Sequence, residues 1–119
     1  MSLNYGSKPA RMRSVCGHNT GNAVETVYTC PPNCCAEVVF IHIVNCSVTT
    51  NTVTVEWYIA TDTSAVNILY TKSLTSTSSH VSLNDINLVL QSGDRIQVTP
   101  TNSGNIDTII TVIETFIPV

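Results

Sequence analysis

The clearest pattern along the chain is a strict alternation of apolar and polar residues in NTVTVEWYIA, residues 51–60. Successive side chains of a β-strand point to opposite faces, so this segment is predicted to be a strand that covers a core on one side only. DRIQVTP, residues 94–100, repeats the pattern, and Pro100 is predicted to mark its end because proline cannot donate to a sheet. The predicted inward residues are Val53, Val55, Trp57, Ile59, Ile96 and Val98.

Short apolar runs recur about every ten residues from residue 23 onward, separated by clusters of Ser, Thr, Asn and Gly. This spacing is typical of a sandwich or barrel, and no segment keeps a helical spacing of apolar residues for three turns. The candidate strands are 23–29, 36–45, 51–60, 66–72, 79–84, 86–91, 94–100 and 106–117. We therefore predict an all-β chain, a single antiparallel β-sandwich of about eight strands with a jelly-roll-like arrangement.

Two of these candidate strands, AEVVFIHIVN and IDTIITVIETFIPV, carry apolar residues at both parities. A strand of a two-sheet sandwich buries one face, so a second apolar face needs a cover, and another copy of the chain would provide one. The predicted interface residues are Val39, Ile41, Ile43, Ile109, Ile113 and Ile117. Two alternatives stay open: the N-terminal segment could fold back over these strands, or a bulge could shift the register by one residue.

Residues 1–22 lack a sustained periodicity and are interrupted by glycines and a proline, so an extended N-terminal arm is predicted before a domain at 23–119. Lys8, Arg11 and Arg13 are three of the five basic residues, which leaves two basic against eight acidic residues, a balance of −6, from residue 14 onward. A basic arm on an acidic body predicts a partner-binding segment, and the alternative is a frayed terminus.

The composition supports one soluble domain without an anchor. The chain has 119 residues, of which only 11% are charged, and much of its apolar content is Val and Ile, which favour strands. The opening residues lack the apolar stretch of a signal peptide, and no run is long enough to span a membrane, so a cytosolic protein is expected. The negative body argues against direct binding of nucleic acid.

The five cysteines raise the question of a zinc site or disulfides. Cys16, His18, Cys30 and Cys34 together offer four suitable zinc ligands, but Cys16 and His18 are closer in sequence than the usual ligand pair. The favoured interpretation of TCPPNCC is a corner between two strands, with prolines stopping one strand and small buried cysteines starting the next. Without an export signal, reduced thiols are expected rather than a disulfide framework. No metal or other cofactor is therefore predicted.

Motifs of catalysis are not evident. The sequence contains no GxSxG, HExxH, GxGxxG or phosphate loop, and its eight acidic residues are scattered. His42, in the middle of an apolar strand, is expected to be buried and hydrogen-bonded rather than catalytic. Trp57 and Tyr58 could stack on a glycan, although Trp57 on the inward face is expected to fill the core. An enzyme is not predicted.

The order VYTCPPN, AEVVFIHIVN, TVTVEWYIA, INLVLQSGDRIQVT and GNIDTIITVIE resembles small β-sandwich virion proteins of tailed bacteriophages, over roughly residues 26–115. In those families a Y-T-x-P corner leads into a strand ending in Asn, and an L-x-L-x-x-G-D-x-I-x-V hairpin precedes the last strand. This chain departs from the pattern at Cys30, where a plain apolar residue is common, and at Cys34 and Cys35, where small or basic residues are common.

The resemblance implies a structural protein of the virion that is assembled in the host cytoplasm. Several members of the group look like capsid decoration or cement proteins, which sit on the shell as trimers and clamp neighbouring capsomers, whereas others are neck, tail or fibre components. The implied partners are further copies of the chain, with a trimer favoured, and the major capsid protein or another virion protein. A module that binds a glycan is a further alternative.

Overall fold

The computed structural model describes residues 2–5, 8–76 and 79–117, with side chains at 9–76, 79–84 and 86–117. These residues form antiparallel strands in two sheets, one of five strands in the order β1-β2-β9-β4-β7 and one of four in the order β3-β8-β5-β6. The strands are β1 (Ser2–Tyr5), β2 (Lys8–Asn19), β3 (Glu25–Thr29), β4 (Cys34–Asn45), β5 (Asn51–Ile59), β6 (Ser64–Leu74), β7 (Ser79–Leu90), β8 (Arg95–Pro100) and β9 (Ile106–Phe116). The predicted all-β sandwich is confirmed.

The core lies between the two sheets and has the residues that alternation predicted on β5 and β8, except Ile59, which is half-buried and lies outside the core cluster. Val53, Val55, Ile96 and Val98 are completely buried, and Trp57 packs against them at the edge of the core. The five-stranded sheet contributes five buried residues from β4 and β9, namely Val38, Ile41, Ile43, Ile110 and Val112. The two predicted strands 79–84 and 86–91 are one continuous strand, β7.

The N-terminal segment differs most from the prediction. Its residues are extended, but Lys8–Asn19 is a strand of the sandwich that pairs with β9 from Ala10↔Thr115 to Asn19↔Ile106. Gly17 lets this strand approach β3 closely, because a Cβ there would lie 2.8 Å from a methyl carbon of Val27. The segment therefore completes the five-stranded sheet rather than preceding the domain as a separate arm.

A β-bulge in β4 explains why that strand is apolar at both parities. Val38 pairs with Val112 of β9 and Phe40 pairs with Thr111, so Val39 is an extra residue with no partner in that register. The inward side chains therefore switch parity, from Val38 before the bulge to Ile41 after it. Of the two alternatives to an interface on this strand, a shift of register at a bulge is therefore the one that applies to β4.

The corner between β3 and β4 follows the sequence prediction. Pro31 and Pro32 end β3, Asn33 adopts a left-handed backbone with φ of 61°, and β4 begins at Cys34. Asparagine tolerates this conformation better than most residues, which suits it to the turn. The prolines therefore mark a change from one sheet to the other rather than a binding site.

Asp94 holds the turn between β7 and β8. Its carboxylate is buried and accepts hydrogen bonds from the Trp57 indole at 3.1 Å, the Ala60 backbone at 3.1 Å and the Gln91 backbone at 3.0 Å. One side chain thus joins this turn to the end of β5.

Replacing Asp94 by alanine is expected to lower the free energy of unfolding by about 1–3 kcal/mol, because three N–H donors lose their acceptor in a site closed to water. Urea denaturation followed by the fluorescence of Trp57 measures the change. Asp62→Ala, which removes an exposed carboxylate, is the matched control and should leave stability within about 0.5 kcal/mol of the parent. Equal effects of the two substitutions would contradict the role given to Asp94.

Candidate assembly surface

Four strands of the five-stranded sheet present a continuous outer face, which we call the β2–β9–β4–β7 face. On this face, residues that lie opposite one another on neighbouring strands form four rows. In the order β2, β9, β4, β7, the rows are His18, Asp107, Val44, His80; Cys16, Ile109, His42, Ser82; Ser14, Thr111, Phe40, Asn84; and Met12, Ile113, Glu37, Val89. These positions hold two carboxylates, Asp107 and Glu37, and no lysine or arginine. Met12, Val89 and Ile109 expose 45%, 46% and 44% of their surface. Covering such a face buries apolar area without desolvating many charges.

The predicted interface residues divide between this face and the core. Ile41 and Ile43 are completely buried within the single chain, so their assignment to an interface is corrected: the bulge turns them inward. Ile109 and Ile117 are exposed, and Val39 and Ile113 are half-buried. The apolar second face of β9 is therefore real, whereas that of β4 is reduced to Phe40, His42 and Val44 beyond the bulge.

Arg11 and Arg13, predicted to bind a partner, instead bind a carboxylate of their own chain. Arg11 Nε lies 2.6 Å from Glu114 Oε1, and Arg13 Nη2 lies 3.0 Å from Glu114 Oε2. Tyr28 donates a third hydrogen bond to Glu114 Oε2 at 2.5 Å. The Glu114 side chain is fully buried, while the arginines remain 45% and 39% exposed. The predicted arm is corrected at these two residues, and the side chain of Lys8 lies outside the described residues.

The electrostatics of this cluster favour the ionised carboxylate. Burial alone would raise the pKa of Glu114, but hydrogen bonds from Arg13, Tyr28 and Arg11 outweigh it and hold the pKa below its usual value. Burial and the bond to Glu114 raise the pKa of Tyr28, which therefore stays a neutral donor. The cluster joins β2, β9 and β3 and so connects the two sheets at one end.

His18 and Asp107 form a second polar contact, at the opposite end of β2. His18 Nδ1 is hydrogen-bonded to Asp107 Oδ1, and the Cys46 thiol donates to Asp107 Oδ2 at 3.4 Å. The bond from His18 lowers the pKa of Asp107. Burial and the bond to Asp107 raise the pKa of Cys46, so this thiol remains protonated and a weak nucleophile near neutral pH. An open cleft of about 500 Å³ adjoins this contact, with Glu25 on its wall.

The four ligands considered for zinc are not brought together. Cys16 and His18 lie on the β2–β9–β4–β7 face, whereas Cys30 and Cys34 are buried at the corner between β3 and β4. Burial raises the pKa of the Cys30 thiol to about 12, which disfavours the thiolate that zinc requires. Across the part of the chain that the structure describes, no three His, Cys, Asp or Glu side chains are grouped to hold a metal ion, and all five cysteines are free thiols.

His42 is hydrogen-bonded as expected, but it is not in the core. Its ring lies half-buried on the β2–β9–β4–β7 face, where Nδ1 is 2.6 Å from Ser82 Oγ. The ring stacks on Phe40, with centroids 5.9 Å apart, and lies 5.3 Å from the ring of His80. The bulge again accounts for the difference, because it gives residues 40, 42 and 44 the outward parity.

The residues considered for glycan stacking are occupied by contacts within the chain. Trp57 packs against the core and donates to Asp94, as its inward position predicted. The Arg95 guanidinium lies 4.0 Å from the centre of the Tyr58 ring and covers one of its faces. A sugar could stack there only on the other face of Tyr58.

The pattern of apolar and polar residues did not predict Glu114, Asp107 and His80 as members of polar clusters. Glu114 shares parity with Ile110 and Val112, so strict alternation along β9 places it inside, and this signal was available. Asp107 and His80 carry no comparable signal, because their partners come from strands that are distant in sequence.

Among the described residues no helix is long and apolar enough to cross a membrane.

Comparisons with known proteins relate the fold to viral and surface assemblies. No protein-family model matches the chain, and no curated protein matches it. A chain from the acidic stable capsid structure of Helicobacter pylori bacteriophage KHP30 is similar in structure, with a TM-score of 0.56 and 16% identity over 92% of this chain and 93% of that one. The fold of a phage capsid component is therefore shared along almost the whole length.

Two further solved structures have the same fold at similarly low sequence identity. A chain from the disulfide-linked pili of Bacillus endospore appendages has a TM-score of 0.54 and 15% identity, over 98% of this chain and 95% of that one. A chain of infectious bursal disease virus, Gx strain, has a TM-score of 0.51 and 13% identity, and there the match covers 91% of this chain but 32% of the other.

Proposed function

We propose that the chain is a structural protein of a phage virion, and within that class a capsid decoration protein that forms a trimer on the shell and stabilises contacts between capsomers. The weakly charged, partly apolar β2–β9–β4–β7 face carries the proposal, because it offers a surface for a neighbouring copy. The fold shared with the KHP30 capsid chain supports the virion context.

In this function the protein acts mechanically. Each copy buries Met12, Ile109 and Val89 against its neighbour in the trimer, and the trimer spans a junction between capsomers. Binding that favours the assembled shell over its separated parts raises the free energy of rupture by mass action. It also slows disassembly, if the contacts are still intact when the shell begins to open.

Replacing Ile109 by glutamate is expected to dissociate the trimer and to lower occupancy on capsids roughly tenfold or more, since a charge would have to be buried at the interface. Native mass and quantitative binding to capsids stripped of the chain measure both effects. The unfolding temperature of the isolated chain should stay unchanged, because Ile109 is 44% exposed.

Val66→Glu is the matched control, since Val66 is 47% exposed on β6 of the other sheet. Equal loss of assembly in both variants would contradict the assignment of the interface to the β2–β9–β4–β7 face. A wild-type monomer would contradict self-assembly itself, and a closed ring larger than a trimer would favour the alternative place in the neck, tail or fibre base.

A further inference from the structure

We infer that His42 and His80 form a surface site for a divalent transition metal of the nickel, copper or zinc type. The two residues lie diagonally across neighbouring strands: His42 of β4 pairs with Ser82, and His80 of β7 pairs with Val44. Both point outward on the β2–β9–β4–β7 face. This site is separate from the four ligands that the sequence suggested.

The ring geometry matches two imidazoles on one metal ion. Metal to imidazole nitrogen distances are about 2.0–2.1 Å, so two imidazoles bound in a tetrahedral arrangement place their ring centroids about 5 Å apart. The centroids of His42 and His80 are 5.3 Å apart, with planes inclined by 37°. The centroid separation therefore matches that of two rings whose nitrogens bind one shared ion.

The surroundings of His42 already orient it as a ligand. Nδ1 faces Ser82 Oγ at 2.6 Å, and when this nitrogen donates its proton to the hydroxyl, Nε2 keeps the lone pair that a metal needs. Stacking on Phe40 holds the plane of the ring. A hydrogen bond to the distal nitrogen is the usual companion of a metal-bound histidine, since it fixes the tautomer.

The composition of the site sets its metal preference. Imidazole suits nickel, copper and zinc, whereas calcium and magnesium require oxygen ligands. Two protein ligands are fewer than the three or four of resident zinc sites, so water completes the coordination in the isolated chain. The expected site is therefore a reversible one that fills when the metal is supplied.

Titration of the full chain with Ni²⁺ at about pH 8 tests the site by calorimetry with a phosphine reductant present, at a concentration where native mass shows the chain to be monomeric and the β2–β9–β4–β7 face is uncovered. One equivalent is expected to bind. His42→Gln and His80→Gln should each weaken binding at least tenfold, and Ser82→Ala should weaken it roughly tenfold because the tautomer is no longer fixed. The replaced side chains lie on the outer face, so the fold should persist, and thermal unfolding without metal checks this.

His18→Gln is the matched control, since it removes the third histidine of the chain from the same face but not from the site. Its affinity for Ni²⁺ should equal that of the parent. Unchanged binding in both His42→Gln and His80→Gln, loss of binding in His18→Gln, or absence of binding by the parent would each overturn the inference. Zn²⁺-induced shifts of the ring nitrogens of residues 42 and 80 in nuclear magnetic resonance provide an independent readout.

Discussion

Replacing Arg11 and Arg13 together by methionine is expected to lower the free energy of unfolding at pH 7 by about 3–5 kcal/mol, because it leaves a buried carboxylate without its cations. Glu114 is fully buried, and each of its oxygens accepts a bond from one arginine. Methionine keeps the length of the apolar stem, so the change removes charge more than packing. Chemical denaturation of both chains measures the difference.

The same pair of chains gives a pH dependence of defined sign. In the parent the folded-state pKa of Glu114 lies below its unfolded value, so the stability it contributes is present above the unfolded pKa and is lost as pH falls through the folded pKa. In the variant, burial without arginines raises the pKa of Glu114, so stability is lost as pH rises. The difference in the free energy of unfolding between the parent and the double variant should therefore shrink from pH 7 towards about pH 4.

Lys72→Met is the control for loss of a cation, since Lys72 is exposed on β6. It should change stability by less than about 0.5 kcal/mol at either pH. If the double variant matches this control, or if its deficit grows on acidification, the assignment of Glu114 as a buried ionised group is wrong.

Ile41→Ala and Ile43→Ala are each expected to lower the free energy of unfolding by about 2–5 kcal/mol, through lost burial and the cavity left behind. Both side chains are completely buried between the sheets and belong to the hydrophobic core. The spread reflects how far the surrounding side chains can relax into the space. Thermal and urea unfolding of each variant measure the loss.

Ile109→Ala provides the comparison within the same sheet. Ile109 is 44% exposed, so its truncation should cost the isolated chain less than about 1 kcal/mol. An interface role for Ile41 and Ile43 would predict the reverse pattern, with normal unfolding of the single chain and loss of assembly. Equal destabilisation by all three truncations would contradict the bulge as the element that separates core from surface.

Much of the sandwich could be predicted from the sequence, because several strands bury apolar residues on one face alone. The alternation in β5 and β8 identified Val53, Val55, Ile96 and Val98 as core residues, and TCPPNCC was identified as a corner. Here local pattern and tertiary structure agree, since each strand meets the core along one row of side chains.

Strand β2 could not be predicted by the same rule. Its inward positions, opposite the buried residues of β9, are Arg11, Arg13, Val15, Gly17 and Asn19. Polar side chains occupy this row because Glu114 across the sheet supplies a partner for the arginines, and Gly17 makes room for Val27. The apolar periodicity that marks a strand is therefore absent, although the pairing is regular.

The β2–β9–β4–β7 face was predicted only in outline. The apolar second face of β9 indicated that something covers it, but the histidine and carboxylate contacts depend on which strands are neighbours, and one sequence does not fix that order. The prediction of which β4 residues face the core was wrong for a local reason, since nothing in AEVVFIHIVN identifies Val39 as the extra residue.

The extra residue in β4 also determines which changes of length the gene can tolerate. Deletion of the Val39 codon would remove the bulge and place Val38 directly before Phe40, so Ile41 and Ile43 would keep their partners on β9 and would still point into the core. Deletion of one codon farther along the strand, such as that of His42, would instead turn Ile43 outward. The bulge is therefore the position in β4 at which related sequences should be able to lose one residue without moving the row of core side chains.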